Sequence, residues 1–221
     1  MFNAVIFDWD GTLADTRWVL VRAFNEAFKL VGCAVSEEFI VRLIGVGERK
    51  LFEEALKSLN IPLREDTLER LSRRKFQVQS ALAGKVQLID GAMDLLHGLH
   101  GRVKVGLATM ARGTLVRRIL AEKGVERLFD AVVSMEEVSQ PKPDPEVFLK
   151  CALKLKVKPE ECVVVEDSVF GVKAAKRAGM GCIAIASGAY SMEELKEQNP
   201  DLTLPSIKEK DVILNFILNN A

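Results

Sequence analysis

The stretch that decides the fold is Ala4-Val5-Ile6-Phe7-Asp8-Trp9-Asp10-Gly11-Thr12, four apolar residues running straight into two aspartates one residue apart. An apolar run without polar alternation predicts a strand covered on both faces, as in a parallel sheet. The carboxyl end of such a strand lies at the edge of the core, and that is where the two carboxylates fall. Along extended backbone, residues i and i+2 point the same way, so Asp8 and Asp10 can face one centre. A solvated Asp-Gly turn is the plainer alternative.

Four more runs rich in β-branched residues follow, at 103–108, 131–134, 162–166 and 182–186. Helical patterns separate them: Leu115, Ile119 and Leu120 share a face, as do Val147, Cys151 and Leu155, then Val172, Ala175 and Ala178. This alternation predicts a doubly wound α/β sheet. One interval departs from it. Between Asp15 and Gln87 the pattern is helical throughout, with Leu20, Phe24, Ala27, Phe28 and Val31 on one face and Leu51, Ala55, Leu56 and Leu59 on another. Turn signals stand at Gly32, at Gly45-Val46-Gly47 and at Asn60-Ile61-Pro62. An insert of about 70 residues is too long for a loop. It reads as a helical cap domain, residues 15–87, set into an α/β core of residues 1–14 and 88–221, with linkers near 14–16 and 82–88.

Composition narrows the function classes. The 221 residues are 48% hydrophobic and 28% charged, enough to build a substantial core. The 31 basic and 31 acidic residues cancel, so no net field draws the chain to nucleic acid or to a membrane. No apolar run approaches the ~18 residues of a membrane span, and the N-terminus lacks a signal-peptide pattern. The four cysteines include no CxxC pair, and Cys151, Cys162 and Cys182 fall in apolar segments, which predicts buried, reduced thiols. The expected location is the cytoplasm.

In an open α/β sheet, ligands bind beyond the carboxyl ends of the strands. The first strand delivers Asp8 and Asp10 there. The second delivers Thr109-Met110-Ala111-Arg112-Gly113 before a helix, where a hydroxyl and free N–H groups can hold a phosphate; a plain N-cap threonine is the alternative. After the third comes Pro141-Lys142-Pro143, whose prolines restrain the backbone around one lysine. The fourth ends in Glu166-Asp167-Ser168, leading into Gly171. Carboxylates converging on one rim repel one another without a cation, and hard oxygen donors suit Mg²⁺. With a lysine and helix N–H groups, the set is suited to handling phosphoryl groups.

The order and spacing of these pieces resemble the haloacid dehalogenase-like hydrolase superfamily over nearly the whole chain. Asp8-x-Asp10-Gly11-Thr12 is similar to its first motif, Thr109 to its second, Lys142 to its third and Glu166-Asp167 to its fourth, and the helical insert is similar to its small helical cap. Ile44-Gly45-Val46-Gly47 and Leu51 to Leu56 resemble phosphoglycolate phosphatases, and the general run of the chain resembles the β-phosphoglucomutases. The resemblance implies a Mg²⁺-dependent phosphatase acting on a small phosphorylated metabolite. Asp8 would be the nucleophile and Asp10 the general acid and base. Asp8, the Asp10 carbonyl, Glu166 and Asp167 would hold Mg²⁺. Gly11, Thr109, Met110 and Lys142 would surround the phosphoryl group.

Other members of the superfamily set the alternatives. A dehalogenase needs neither Asp10 nor the Glu166-Asp167 pair. Mutase relatives commonly carry a histidine early in the cap, where this chain reads Arg17-Trp18-Val19-Leu20-Val21; His97 and His100 are its only two, near a helix end. A non-enzymatic module would have lost the nucleophile or the lysine, and both are present. A phosphonate-cleaving enzyme needs a reactive cap lysine, and Lys29, Lys50, Lys57 and Lys75 are not distinguished by sequence. For reading the leaving group, the cap turn Gly45-Val46-Gly47-Glu48-Arg49-Lys50 is the candidate, with Arg49 as its cation.

Overall fold

The computed structural model describes residues 2–219. The chain opens with β1 (Ala4–Phe7) and the two-residue β2 (Ala14–Asp15), then runs through four helices, α1 (Arg17–Phe28), α2 (Glu37–Arg42), α3 (Glu48–Ser58) and α4 (Glu65–Leu82). β3 (Gln87–Leu88) brings it back to α5 (Ala92–Leu99), β4 (Lys104–Ala108), α6 (Gly113–Glu122) and β5 (Ala131–Val133). Then follow α7 (Glu146–Leu155), β6 (Cys162–Glu166), α8 (Val169–Arg177), β7 (Gly181–Ile185), α9 (Met192–Lys196), β8 (Leu202–Leu204) and α10 (Lys210–Asn219).

Six strands pair in parallel in the order β5-β4-β1-β6-β7-β8. The alternation within β1 explains why neither face of the sheet can be wet. Val5 and Phe7 pack with Leu95, Leu99, Val116, Leu120, Ile213 and Ile217, so α5, α6 and α10 cover one side. Ala4 and Ile6 pack with Val147, Phe148, Cys151, Val172 and Ala175, so α7 and α8 cover the other. Burying a side chain such as Ile6 or Phe7 contributes about 1.5–3 kcal/mol each. The chain builds β4 and β5 on one side of β1 and β6 to β8 on the other, so the topological switch lies at β1. Phe7 is level with Leu107 of β4 and Val165 of β6, which sets Asp8 and Glu166 at the same height on the rim.

The helical insertion has a core of its own: Leu20, Phe24 and Phe28 of α1 meet Leu51, Phe52 and Leu56 of α3 and Leu68 and Leu71 of α4. Phe52 presents an edge to Phe24 and Phe28, with ring centroids 5.0 and 5.4 Å apart. Such pairs add about 0.5–1.5 kcal/mol beyond area.

The structure departs from the sequence expectation in four places. The two linkers pair as a short antiparallel ribbon, Ala14 opposite Leu88 and Asp15 opposite Gln87. Two-residue strands carry no period that a sequence reading could detect. β8 is an edge strand at the far end of the sheet, also unanticipated. Leu59, expected on the buried face with Leu51 and Leu56, is 39% exposed, because α3 ends at Ser58 and Asn60 turns the chain at a positive φ of 56°. Val31 is only half-buried against the cap core. Among the described residues, no helix is long and apolar enough to cross a membrane.

Candidate active site

The carboxyl ends of β1, β4 and β6 meet below the helical insertion. Asp8 follows β1 directly, with its N–H bonded to the Val165 carbonyl, so its direction is fixed by the sheet. The Lys142 ammonium stands between Asp8 Oδ1, at 2.5 Å, and Glu166 Oε1, at 2.7 Å. Lys142 is fully enclosed, with its ammonium 4.8 Å from the centre of the Phe148 ring. Burial alone would lower the lysine, but Asp8 and Glu166 outweigh it and hold the ammonium above its ordinary pKa. Glu166 spends its second oxygen on the Ser168 N–H at 2.6 Å and the Ser168 hydroxyl at 2.9 Å. Ser168 in turn caps α8 through the Gly171 N–H.

Asp167 lies beside this pair and accepts from the Thr12 hydroxyl at 2.9 Å. Asp8, Glu166 and Asp167, all buried, each offer an oxygen within 4.8 Å of the others. Burial, reinforced by Glu166 and Asp10 and opposed by Lys142, pushes the Asp8 carboxyl above its ordinary range. Burial also raises Asp167 well above that range, with Glu166 and Asp8 adding to it. One ammonium does not neutralise this group, and the excess of carboxylate is what a divalent cation offsets. The backbone has been kept clear around Asp167. A Cβ at Gly188 would lie 1.9 Å from its Oδ2, and one at Gly11, where φ is +86°, would lie 2.3 Å away. Hard oxygen donors in a cradle open only to glycine fit Mg²⁺.

Asp10 sits one step outward and accepts from the Thr16 hydroxyl at 2.6 Å. Burial raises its carboxyl, against the pull of that hydrogen bond and of Lys75. On the β4 side Thr109 is fully buried and its hydroxyl accepts from the Ala111 N–H at 2.9 Å. The Met110 N–H has no protein acceptor among the described residues. Of the residues expected to share one centre, Asp8, Lys142, Glu166 and Asp167 meet directly, while Asp10 and Gly11 follow the end of β1 and Thr109 and Met110 the end of β4.

Arg49 lines a cleft that Met110 and Lys142 also line. It is exposed, and its guanidinium is bound to Glu65, at 2.5 and 2.9 Å, and to Glu53, at 2.8 Å. The preceding residue, Glu48, points inward. It is buried and receives Lys75 at 3.1 Å, Ser72 at 2.6 Å and Arg112 of the core at 2.6 Å. Burial opposes ionisation of Glu48, but Lys75, Ser72 and Arg112 together prevail and hold its carboxyl below the usual range. Arg112 therefore joins insertion to core, as do Arg42 to Glu194 at 2.5 Å and the Tyr190 hydroxyl to the Arg42 carbonyl at 2.5 Å. Of Lys29, Lys50, Lys57 and Lys75, only Lys75 is buried. The sequence reading named Lys75 without distinguishing it from the other cap lysines, and gave no role of their own to Glu48, Gln79, Arg112 or Ser187, the last of which donates to the Gly11 carbonyl at 2.7 Å. The one signal available was Ser187-Gly188, small residues just past a strand end.

The chain matches the profile of the haloacid dehalogenase-like hydrolases over residues 5–185. It is 30% identical over 184 residues to the fructose-1-phosphate phosphatase YqaB of Escherichia coli, covering 83% of this chain and 96% of that one. It is 34% identical over 182 residues to the phosphorylated carbohydrates phosphatase of Thermotoga maritima, covering 80% and 82%. Among solved structures, a hydrolase from Pseudomonas syringae superposes with a TM-score of 0.87 at 26% identity, covering 96% of both chains. Together with the parallel sheet, the helical insertion and the acidic rim centred on Asp8, these matches show that the chain belongs to the haloacid dehalogenase-like hydrolases.

Proposed function

We propose that this protein is a Mg²⁺-dependent phosphatase of a small phosphate monoester, working through an aspartyl-phosphate on Asp8. The observation that carries the reading is the Lys142 ammonium bound between Asp8 and Glu166 with Asp167 alongside. The phosphatases of phosphorylated carbohydrates to which the chain is similar support it. Asp8, the Asp10 carbonyl and Asp167 would hold Mg²⁺, with Glu166 orienting Lys142 and adding negative charge. When bound, the ion supplies charge neutralisation for the phosphoryl oxygens.

The chain's own residues carry the bond changes. An Asp8 oxygen attacks phosphorus, the bond from phosphorus to the leaving oxygen breaks, and Asp10 gives that oxygen its proton. The raised pKa of Asp10 suits this acid role. Asp10 then takes a proton from the water that attacks the acyl phosphate, which releases phosphate and restores Asp8. Thr109, the Met110 N–H and Lys142 hold the phosphoryl oxygens, and Gly11 lets the backbone approach them. Residues 15–87 act as the cap that excludes water, and residues 1–14 and 88–221 as the catalytic core. Phosphoryl transfer to water rather than to a sugar is consistent with His97 and His100, both exposed on the core.

Initial rates with p-nitrophenyl phosphate test the reading. Turnover should vanish in chelator and return with Mg²⁺. Undiminished turnover in chelator, or activity on a 2-haloacid alone, refutes it.

A further inference from the structure

Two openings reach different halves of the site. The larger is a cleft of about 1290 Å³ between the cap and the loop after β5, lined by Met110 and Lys142 but by neither Asp10 nor Asp167. The second is a cavity of about 310 Å³ beside the β2–β3 ribbon, lined by Asp10 and Asp167 but by neither Met110 nor Lys142. The end of α2 parts them: Val41 and Ile44 line the cavity, Arg42 and Leu43 the cleft. Arg42 is seated on the core there, by Glu194 at 2.5 Å and by the Tyr190 ring, whose centre lies 4.7 Å from its guanidinium carbon. The ribbon is paired to itself and tied to the core through the Ile89 N–H and the Leu13 carbonyl at 2.8 Å, so this wall of the cavity does not depend on the cleft.

We propose that the cavity beside the ribbon is the passage by which Mg²⁺ reaches Asp167 and leaves it, separate from the cleft that admits the ester and releases phosphate. The inference rests on the phosphatase reading above. The cavity leads from solvent to a metal-holding carboxylate: Asp15, Gln87, Asp90 and Ser187 on its rim are exposed, and Asp167 is buried. Gly11 and Gly188 form the wall beside Asp167, so no side chain closes it there. Among the described residues, four carboxylates line the cavity against one guanidinium, that of Arg17. Arg17 pairs with Glu37 at 3.4 Å and Asp90 with Lys208 at 2.6 Å; these two outer partners cancel, and the excess of negative charge stands. The cleft is balanced, with five cations and five carboxylates among the described residues. A concave passage lined by one sign of charge concentrates ions of the other, and the volume leaves room for a hydrated cation. The cleft therefore need not open for the ion to load.

The test places a bulky adduct at each mouth, in a Cys33→Ser background that removes the half-buried thiol. Asp15→Cys lies on the rim of the cavity and Glu38→Cys on that of the cleft; both positions are exposed and outside the catalytic groups. Each variant is measured before and after labelling with N-phenylmaleimide, its Kd for Mg²⁺ by calorimetry and the release rate by line broadening of the magnesium NMR signal. An obstacle in a passage raises the barrier to entry and exit alike, so labelling Asp15→Cys should slow release by about tenfold with Kd unchanged. Labelling Glu38→Cys should alter neither. Unchanged release after labelling Asp15→Cys, or equal slowing from the adduct at Glu38→Cys, overturns the inference. So does a change of Kd on labelling Asp15→Cys, which puts the adduct on the ion's ligands rather than on its path. These results leave the phosphatase reading intact, whereas absence of Mg²⁺ binding by the wild type overturns both.

Discussion

Gly171 is the position from which the candidate site can be disturbed without touching any residue that meets substrate. It lies in the first turn of α8, and a Cβ there would stand 1.9 Å from both Cδ and Oε1 of Glu166. Glu166 cannot step aside freely, since it is fully buried and held by Lys142 and by Ser168. Gly171→Ala must therefore displace Glu166 and strain its bond to Lys142. Overpacking costs about 1–3 kcal/mol and a lost charge-assisted hydrogen bond about 1.5–3 kcal/mol. Alanine returns about 1 kcal/mol of helix propensity. The net destabilisation is about 1.5–5 kcal/mol, a Tm lower by about 3–20 °C for a chain of this length. Displacement of Lys142 by about 1 Å should also lower kcat/KM by about a hundredfold. Thermal melts and initial rates on p-nitrophenyl phosphate measure both, with Gly84→Ala as control, since a Cβ there makes only an ordinary contact at 3.5 Å. If Gly171→Ala matches that control in Tm and rate, Glu166 is not fixed by α8 and the argument fails.

The other predictions are more direct. Asp8→Asn should abolish turnover and any phosphoenzyme seen by mass spectrometry, whereas Asp10→Asn should still be phosphorylated by an aryl phosphate, whose leaving oxygen needs little protonation; equal phosphoenzyme in both contradicts the roles assigned. Mg²⁺ should raise Tm by about 5–10 °C at a hundredfold excess over Kd, and this gain should disappear in Asp167→Asn. Arg49→Ala should change kcat/KM by less than about twofold, because its exposed guanidinium serves Glu53 and Glu65; a tenfold loss confined to anionic substrates would return it to the substrate-reading role. Burial pushes the Cys151, Cys162 and Cys182 thiols up, Cys162 to about 12, so the half-buried Cys33 should be the one cysteine labelled by a thiol reagent in the native protein.

What the sequence made legible was the part of the fold whose order is carried by local pattern. β1 and β6 were readable because an apolar run ending in acids states both the burial of the strand and the exposure of its end. Phe7 pairs with Val165, so the next residues, Asp8 and Glu166, meet at one height, and the loop after β5 brings Lys142 to Asp8. That convergence is a property of any parallel sheet with its switch at β1, so a list of strand ends is already a map of the rim. What failed was the exact course of the chain at the margins. The ribbon of β2 and β3 is set by pairing between residues far apart in sequence, and Leu59 by one turn past the end of α3.

The cap was illegible for a different reason. A helical face tells which residues are buried but not which polar residue is buried with them. Glu48 and Arg49 are adjacent at the start of α3, and a preference for cations near phosphate selects the arginine. Packing selects the glutamate. Lys75 lies in α4, 27 positions further on, and its ammonium, 4.9 Å from the centre of the Phe24 ring, is bonded to Glu48. Arg112 reaches the same carboxylate from the core, across 64 positions, over the Phe76 ring. With two cations converging inward, an arginine at position 48 would be a third unpaired charge in low dielectric, whereas a carboxylate is held by both. The outward neighbour is then free to pair with Glu53 and Glu65 on the surface. The identity of the inward residue is therefore set by partners that become neighbours only after α1, α3 and α4 have packed, which is why local charge alone does not show that Glu48 turns inward.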